Sequence, residues 1–423
     1  MRKFLAALGF VASLVFTLTC YSQASTGVPF LLISPMTDAN GMGGAAVGAS
    51  TYDPLAVMVN PAHLGAQSRT TYYSTGYNYS AWLPQFQLSD LWLRTYAVTV
   101  GMNLKEVNEN APPLSVGAGY SRVYLNLGDY ILTSQTGPEE IGRYRSSETS
   151  DQYSIGMCLD YWIRASAGVT YKHVASKISG NFAETGKSVR EGKANLYDYG
   201  FLFEVPLMEI VSKMTNNFLR VTPNLSPFLD ASIGVSRSNL GQDSITYPYE
   251  AQGDPLPRYA RAGVGVELGA LYTRDALRWK PYSFKWTRES ADVLVGADRH
   301  YTNGLGHIQF FNDVIIGRTN NEIEMKNGWE FNVLEVLAIR GGRFEEAPDR
   351  GNRRFTTSGW GVQLAGLAKF LRAADARIDD ASIAGFILGH IDVRYDHSEW
   401  YTDDHKSPLK GTNFDAVTIS LRN

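Results

Sequence analysis

The chain has 423 residues, with 39 Lys+Arg against 42 Asp+Glu, 44% hydrophobic content, 40 Gly, 24 Tyr and 2 Cys. That balance excludes a collagen, a disordered tail and a disulfide scaffold, and the lack of a basic excess argues against a nucleic-acid partner. A mean hydropathy of -0.19 excludes a bundle of transmembrane helices, but not a membrane barrel, whose strands alternate apolar and polar residues.

Arg2 and Lys3 precede an apolar run from Phe4 to Leu18, and Ser22-Gln23-Ala24 supplies the small-x-small pattern that signal peptidase reads. Residues 1–24 read as a cleavable signal peptide, with a buried N-terminal helix as the alternative. A lipoprotein reading of Cys20 lacks the small residue expected just ahead of it in Thr17-Leu18-Thr19. Removing the signal takes away Arg2, Lys3 and Cys20 and no acid, leaving 37 basic against 42 acidic residues and Cys158 without a disulfide partner.

Residues 25–69 are not strand-like. Gly41-Met42-Gly43-Gly44-Ala45 can turn sharply or let backbones approach closely. Asp53-Pro54 and Asn60-Pro61 each pair an N-cap residue with proline at a first helical position, which predicts two short helical turns. The segment is either a hatch folded into a barrel or a peripheral periplasmic cap.

From residue 70 to 423 the chain repeats segments of roughly ten residues with period-two alternation. Leu229, Ala231, Ile233 and Val235 oppose Asp230, Ser232, Gly234 and Ser236. Tyr197, Tyr199, Phe201, Phe203 and Val205 oppose Asp198, Gly200 and Glu204. Ile155, Met157, Leu159 and Tyr161 oppose Ser154, Gly156, Cys158 and Asp160. Ala262, Val264, Val266, Leu268, Ala270 and Tyr272 oppose Arg261 and Glu267, and Trp360, Val362, Leu364, Ala368 and Phe370 oppose Gln363 and Lys369.

A soluble β-protein and a transmembrane β-barrel both alternate in this way, but sandwich strands average about five or six residues and membrane strands about nine to eleven. The length favours an all-β, antiparallel membrane barrel. Tyr72, Tyr73, Tyr120, Tyr161, Trp162, Tyr272, Trp279 and Trp400 near segment ends suit aromatic girdles. Arg or Lys on the lipid face near the midplane costs about 2–4 kcal/mol, so the charges should point inward. Segments begin near residues 70, 94, 113, 151, 165, 194, 225, 259, 282, 306, 327, 336, 355, 388 and 412. Bacterial single-chain barrels have even strand numbers, so one segment is surplus, and the irregular stretch 273–326 is where it should lie. The final run Val417, Ile419, Leu421 can close the sheet on its first strand.

Two stretches, Leu125 to Thr149 and Leu240 to Pro257, read as long extracellular loops. Tyr and Arg are enriched at interface hot spots, which makes Tyr130, Arg143, Tyr144, Arg145, Tyr247 and Tyr249 candidate partner-binding residues, with plain solvated loops as the alternative. No G-x-S-x-G or H-E-x-x-H motif accompanies the seven histidines. The cluster Asp396, His397, Glu399, Asp403, Asp404 and His405 reads as a strand end running into a solvated loop. No catalytic residue, metal or cofactor is expected.

Gly41-Met42-Gly43-Gly44-Ala45 followed by Asn60-Pro61-Ala62-His63-Leu64 resembles the N-terminal signature of FadL-like outer-membrane barrels, marking Gly43, Gly44, Asn60, Pro61 and Ala62 as the hatch motif. Ser238-Asn239-Leu240-Gly241, Asp254-Pro255-Leu256-Pro257-Arg258, Gly328-Trp329-Glu330-Phe331 and Leu337-Ala338-Ile339-Arg340-Gly341-Gly342 resemble the PorV/PorQ branch, PorV-type above all. The resemblance implies a barrel of about 14 strands in the outer membrane, belonging to the type IX secretion system of Bacteroidetes. It further implies a non-catalytic shuttle whose partners are the translocon, the attachment-complex proteins and the C-terminal signal domains of secreted cargo. The runner-up is a FadL-like channel for hydrophobic small molecules. Ala374 to Gly385 reads as an insertion.

Overall fold

The computed structural model describes residues 26–422 apart from 87–89, 134–136, 180–188, 216–218, 249, 276, 297, 321, 347–350, 375–382 and 403–406. The signal peptide read over 1–24 lies outside the described residues. Fourteen antiparallel strands form one closed barrel. They are β1 (Tyr72–Ala81), β2 (Leu91–Asn103), β3 (Leu114–Thr133), β4 (Glu140–Asp160), β5 (Arg164–Ser179), β6 (Val189–Pro206) and β7 (Leu225–Gly241). The second half comprises β8 (Tyr259–Arg274), β9 (Leu277–Val293), β10 (Glu324–Val333), β11 (Leu337–Glu345), β12 (Arg354–Gln363), β13 (Ile391–Tyr401) and β14 (Asn413–Arg422). Each strand pairs with its sequence neighbours, and β1 meets β14 with Tyr72 opposite Arg422. Closure leaves no unpaired edge in the wall, which a bilayer requires. Among the described residues no helix is long and apolar enough to cross a membrane.

The alternation read from the sequence sets the two faces. Ile155, Met157, Phe201, Phe203, Ile233, Leu268, Phe331, Ile339, Ile419 and Leu421 are exposed on the outside, while Ser74, Asn78, Thr99, Ser154, Thr170, Asp198 and Ser236 are buried inside. Arg261, Glu204 and Asp198 point inward as expected. Tyr72 and Trp400 are not girdle residues. Tyr72 is buried against the hatch, where its hydroxyl donates to Gln67, and Trp400 stacks on Phe355 at 4.5 Å in a luminal aromatic cluster. Trp279 is also buried and lies 5.9 Å from Phe370.

Three readings of the segments change. The segment placed near 306 is no strand: residues 294–323 connect β9 to β10 and carry a π-helical turn at Phe310–Ile316. Leu364, Ala368, Phe370 and Lys369 do not continue β12 but form helix Leu364–Ala373, because a short apolar run fits either period and Gln363 ends the strand. Leu125 to Thr149 is not a long loop: the β3–β4 ladder runs up to Thr133 opposite Glu140. Its sequence lacks a regular alternation, with Tyr130-Ile131-Leu132 consecutive and Arg145 to Thr149 all polar, so it does not read as strand. Of the stretch read as an insertion, Ala374 to Gly385, residues 375–382 lie outside the described residues and the end begins helix Ile383–His390.

The strand ends define the orientation used below. The terminal end carries Tyr72, Arg422, the turn at 161–163 and helices Leu207–Thr215, Leu364–Ala373 and Ile383–His390; the loop end carries the connections at 82–90, 242–258, 294–323 and 402–412.

Candidate functional site

Residues 26–71 run inside the barrel from the loop end to the terminal end. At the loop end the Gly27 amide donates to the Pro255 carbonyl at 2.9 Å, beside a two-residue ladder of Ser244–Ile245 with Asp254–Pro255. The two predicted turns form. Pro54–Met58 is a 3-10 turn whose Leu55 amide donates to Asp53 Oδ1 at 2.8 Å, and Ala62–Gln67 is a helix whose Ala62 amide donates to Asn60 Oδ1 at 3.0 Å. Proline has no amide to leave unsatisfied at the first helical position, so each Asx side chain caps the next amide.

The hatch motif is buried against the wall. Asn60 Nδ2 donates to the Val47 carbonyl at 2.9 Å within the hatch and to the Phe201 carbonyl of β6 at 3.1 Å. Pro61 and Ala62 pack on β5, where a Cβ on Gly168 would stand 2.3 Å from the Pro61 carbonyl oxygen. Gly43 has φ +71, and a Cβ there would meet the Arg343 and Asn327 carbonyl oxygens at 2.5 and 2.6 Å. Only glycine meets both demands. Gly44 follows at φ +82 beside the Lys326 side chain.

The wall glycines complete this seat. A Cβ on Gly200 would lie 1.9 Å from Asn60 Oδ1, on Gly234 1.9 Å from the Val47 carbonyl oxygen, on Gly156 2.7 Å from the Gly65 amide and on Gly342 2.2 Å from the Gly43 amide. Polar side chains then fasten the hatch. Glu289 Oε2 accepts the Ala46 and Val47 amides, both at 2.9 Å, while its other oxygen meets Lys326 Nζ at 3.0 Å. Ser232 and Ser236 donate to the Gly48 and Val59 carbonyls at 2.6 and 2.9 Å. Thr357 donates to the Gly41 carbonyl and accepts the Gly43 amide, both at 2.9 Å. Arg394 of β13 reaches Asp53 at 3.1 Å and Asp38 at 3.7 Å on the hatch, and Asp396 beside it at 2.6 Å. Arg340 continues the chain of pairs to Asp396 at 2.7 Å and Glu330 at 2.6 Å.

These pairs carry an electrostatic consequence. Burial, and then the neighbouring Asp38, push the Asp53 carboxyl up to about 7 despite Arg394. Burial likewise pushes the His63 imidazole down; its Nε2 meets the Ala46 carbonyl at 3.1 Å and its Nδ1 has no partner, so the ring sits neutral in the hatch.

The hatch divides the lumen. Towards the loop end Val28, Phe30, Leu93, Leu125, Leu196 and Leu256 form one apolar cluster. Towards the terminal end lies a cavity of about 1050 Å³, lined by Lys280, Glu267, Lys285, Glu330, Arg340 and Arg394 among others. Several of its charges are paired, with Lys280 to Glu267 at 2.8 Å and Lys285 to Glu330 at 3.2 Å.

Of the six predicted partner residues, only Arg145 and Tyr247 have described side chains. Arg145 is exposed on the upper ladder and bonds Asp129 through two nitrogens at 2.7 and 3.0 Å. Tyr130 lies opposite Tyr144 in the ladder and Arg143 opposite Ile131, with the side chains of Tyr130, Arg143 and Tyr144 outside the described residues. Tyr247 is buried, its hydroxyl donating to Ser176 Oγ at 2.8 Å, so it belongs to the loop-end core rather than to a docking surface. Tyr249 lies outside the described residues. The acidic and histidine cluster splits across the wall: Asp396 faces the lumen and His397 faces out, where it meets Asp415 at 2.9 Å. Asp403, Asp404 and His405 lie outside the described residues, and no metal-holding group occurs among the described ones. Sequence reasoning missed Glu289, Ser232, Ser236, Thr357 and Arg394 as hatch anchors. Their inward parity was readable, their partners more than a hundred residues away were not.

Fold and site together define a fourteen-stranded β-barrel of the outer-membrane type with a hatch seated in its lumen. No family model matches the chain, and no curated protein matches it. Among solved structures it is similar to the Pseudomonas putida toluene transporter TodX, at 9% identity and TM-score 0.38, covering 95% of this chain and 99% of that one. It is also similar to the Ralstonia pickettii toluene transporter TbuX, at 11% identity and TM-score 0.41, covering 91% and 97%. A Pseudomonas aeruginosa FadL homologue aligns at 11% identity and TM-score 0.35, covering 94% and 99%.

Proposed function

We propose that this protein is a PorV-type shuttle of the type IX secretion system in the outer membrane, which takes up secreted proteins by their C-terminal signal domains and hands them to the surface attachment complex. The motif series from Ser238 to Gly342 supplies the family reading. The observation that carries a surface-acting rather than a conducting role is the seated hatch. Its backbone lies within contact of wall glycines on β4 to β12, and the loop-end half of the lumen is packed with apolar side chains. A barrel filled in this way has its outer rim and wall left for work, and work there needs no catalytic group. Deleting the gene and measuring export of proteins with C-terminal secretion signals tests the reading. Loss of export restored by the wild-type gene is the expected result, and unchanged export refutes it.

A second reading, a FadL-like channel for hydrophobic small molecules, draws on the large cavity beneath the hatch. Its walls mix apolar side chains such as Phe228, Val266, Leu271 and Trp279 with the paired charges of Lys280 and Lys285, a lining that an amphipathic solute would suit better than a purely apolar one. Uptake of long-chain or monoaromatic substrates by cells with and without the protein separates the two.

A further inference from the structure

The connection between β9 and β10 is folded down the outside of the barrel. By register, Ala262, Val264, Ser290, Arg288, Met325 and Asn327 all lie on the face that carries the lipid-exposed residues Leu268, Phe284 and Phe331 lower on the same strands. Yet Ala262, Val264 and Met325 are buried, because Leu294, Ile308, Val314 and Ile323 of the connection pack over them. The cover accommodates two charges of the outer face, Asp292, which meets His307 of the connection at 3.0 Å, and Arg288. Arg288 Nε donates to Asn327 Oδ1 at 2.6 Å, its Nη1 donates to the Ile315 carbonyl at 3.2 Å, and it lies 5.1 Å from the Trp286 ring. Gly317 closes the turn at φ +82, where a Cβ would stand 2.4 Å from the Arg288 guanidinium.

The cover is itself two-faced. The π-helical turn Phe310–Ile316 buries Asp313 and Val314. Its i to i+5 spacing returns Phe311 and Ile316 to the opposite side, where Phe311 is 67%, Ile315 44% and Ile316 46% exposed. Three large apolar side chains together on an exposed turn require an apolar neighbour. The height of the turn identifies it. Val264 stands eight residues above Tyr272 on β8, roughly 20 Å for a strand tilted about 40°, which is near the top of an apolar band about 25 Å tall. The patch therefore continues the lipid-facing belt upward at the level of the outer leaflet.

We infer that the turn at Phe310–Ile316 is a lipid-immersed anchor, with Phe311, Ile315 and Ile316 seated among the acyl chains of the outer leaflet and Arg288 shielded behind them. The inference rests on the transmembrane reading of the barrel and goes beyond the secretion role. It assigns the β8–β10 wall to lipid and leaves other parts of the circumference for protein partners.

Spin labels placed singly at Phe311→Cys, Asn303→Cys and Ile419→Cys in a Cys158→Ala background test it, in full-length protein reconstituted into phosphatidylethanolamine–phosphatidylglycerol vesicles. Oxygen, which partitions into acyl chains, should relax the label at 311 severalfold more effectively, relative to a water-soluble nickel chelate, than the label at 303 in the same connection. Equal accessibility at 311 and 303, with 419 still favouring oxygen, overturns the anchor while leaving the barrel in the membrane. A label at 311 shielded from both reagents overturns it in favour of a protein neighbour. Nickel accessibility at 419 overturns the membrane reading beneath it.

Discussion

The two halves of the lumen are built from one set of strands and behave as different solvents. Towards the loop end the interior is apolar: Phe30 of the hatch's Pro29–Leu32 turn is fully buried with Leu93, Leu196 and Leu256. Towards the terminal end the same strands line a cavity of about 1050 Å³ with Lys280, Lys285, Glu267 and Glu330. The difference teaches what holds a hatch without a disulfide. On the apolar side shape complementarity and apolar burial suffice, whereas at the boundary with the cavity side the hatch is tied by charges. A buried ion pair adds little over an apolar replacement, but removing one partner is costly because the other is left buried and uncompensated.

The largest effect should come from breaking that boundary. Arg394→Ala leaves Asp38, Asp53 and Asp396 short of their shared cation, and should destabilise hatch seating by about 3–5 kcal/mol. Limited proteolysis of the reconstituted protein reads this as hatch cleavage with the barrel intact. Next comes the wall: Gly200→Val drives a side chain into Asn60 Oδ1, at a cost of about 1–3 kcal/mol for overpacking, read as the same hatch release without any change of charge. Equal resistance of both variants to protease would mean that neither region holds the hatch.

The boundary also carries a pH signature. The folded Asp53 carboxyl stands at about 7, above its ordinary value of 3.8. A raised pKa contributes stability that is complete below the unfolded value and is lost as pH rises through the folded one. Hatch protection in hydrogen exchange should therefore fall as pH climbs through about 7, and Asp53→Asn should remove that part of the dependence. The smallest effect belongs to the loop-end core. Tyr247→Phe loses the hydroxyl bond to Ser176, worth about 1 kcal/mol, and a thermal melt should register it with no change in export. Arg145→Ala, on the exposed ladder, should leave stability unchanged, so a fall in cargo export there would mark a docking contact.

Much of this architecture was legible in the sequence where residues face two different solvents. Residues 229–236 and 197–205 alternate because lipid lies on one side and the lumen on the other, and the surplus segment near 306 fell inside the stretch that broke the pattern. Legibility failed where the alternation is broken or short. The upper β3–β4 ladder runs Tyr130-Ile131-Leu132 together and is polar from Arg145 to Thr149, so it read as a loop, and Leu364 to Phe370 is apolar enough to fit either period. The hatch motif was readable from Gly43, Gly44, Asn60 and Pro61 because each demands a particular backbone. Its anchors were not, since nothing local in Glu289 or Thr357 states that its partner is an amide at residues 43 to 47.

The central claim, that the hatch closes the barrel and leaves function to its surface, is tested most directly by conductance of the purified protein in planar lipid bilayers. The wild type should insert without steady current, and the double variant Arg394→Ala/Glu289→Ala should show discrete conductance steps. Steps of equal size in the wild type would contradict the account and return the protein to the class of open channels.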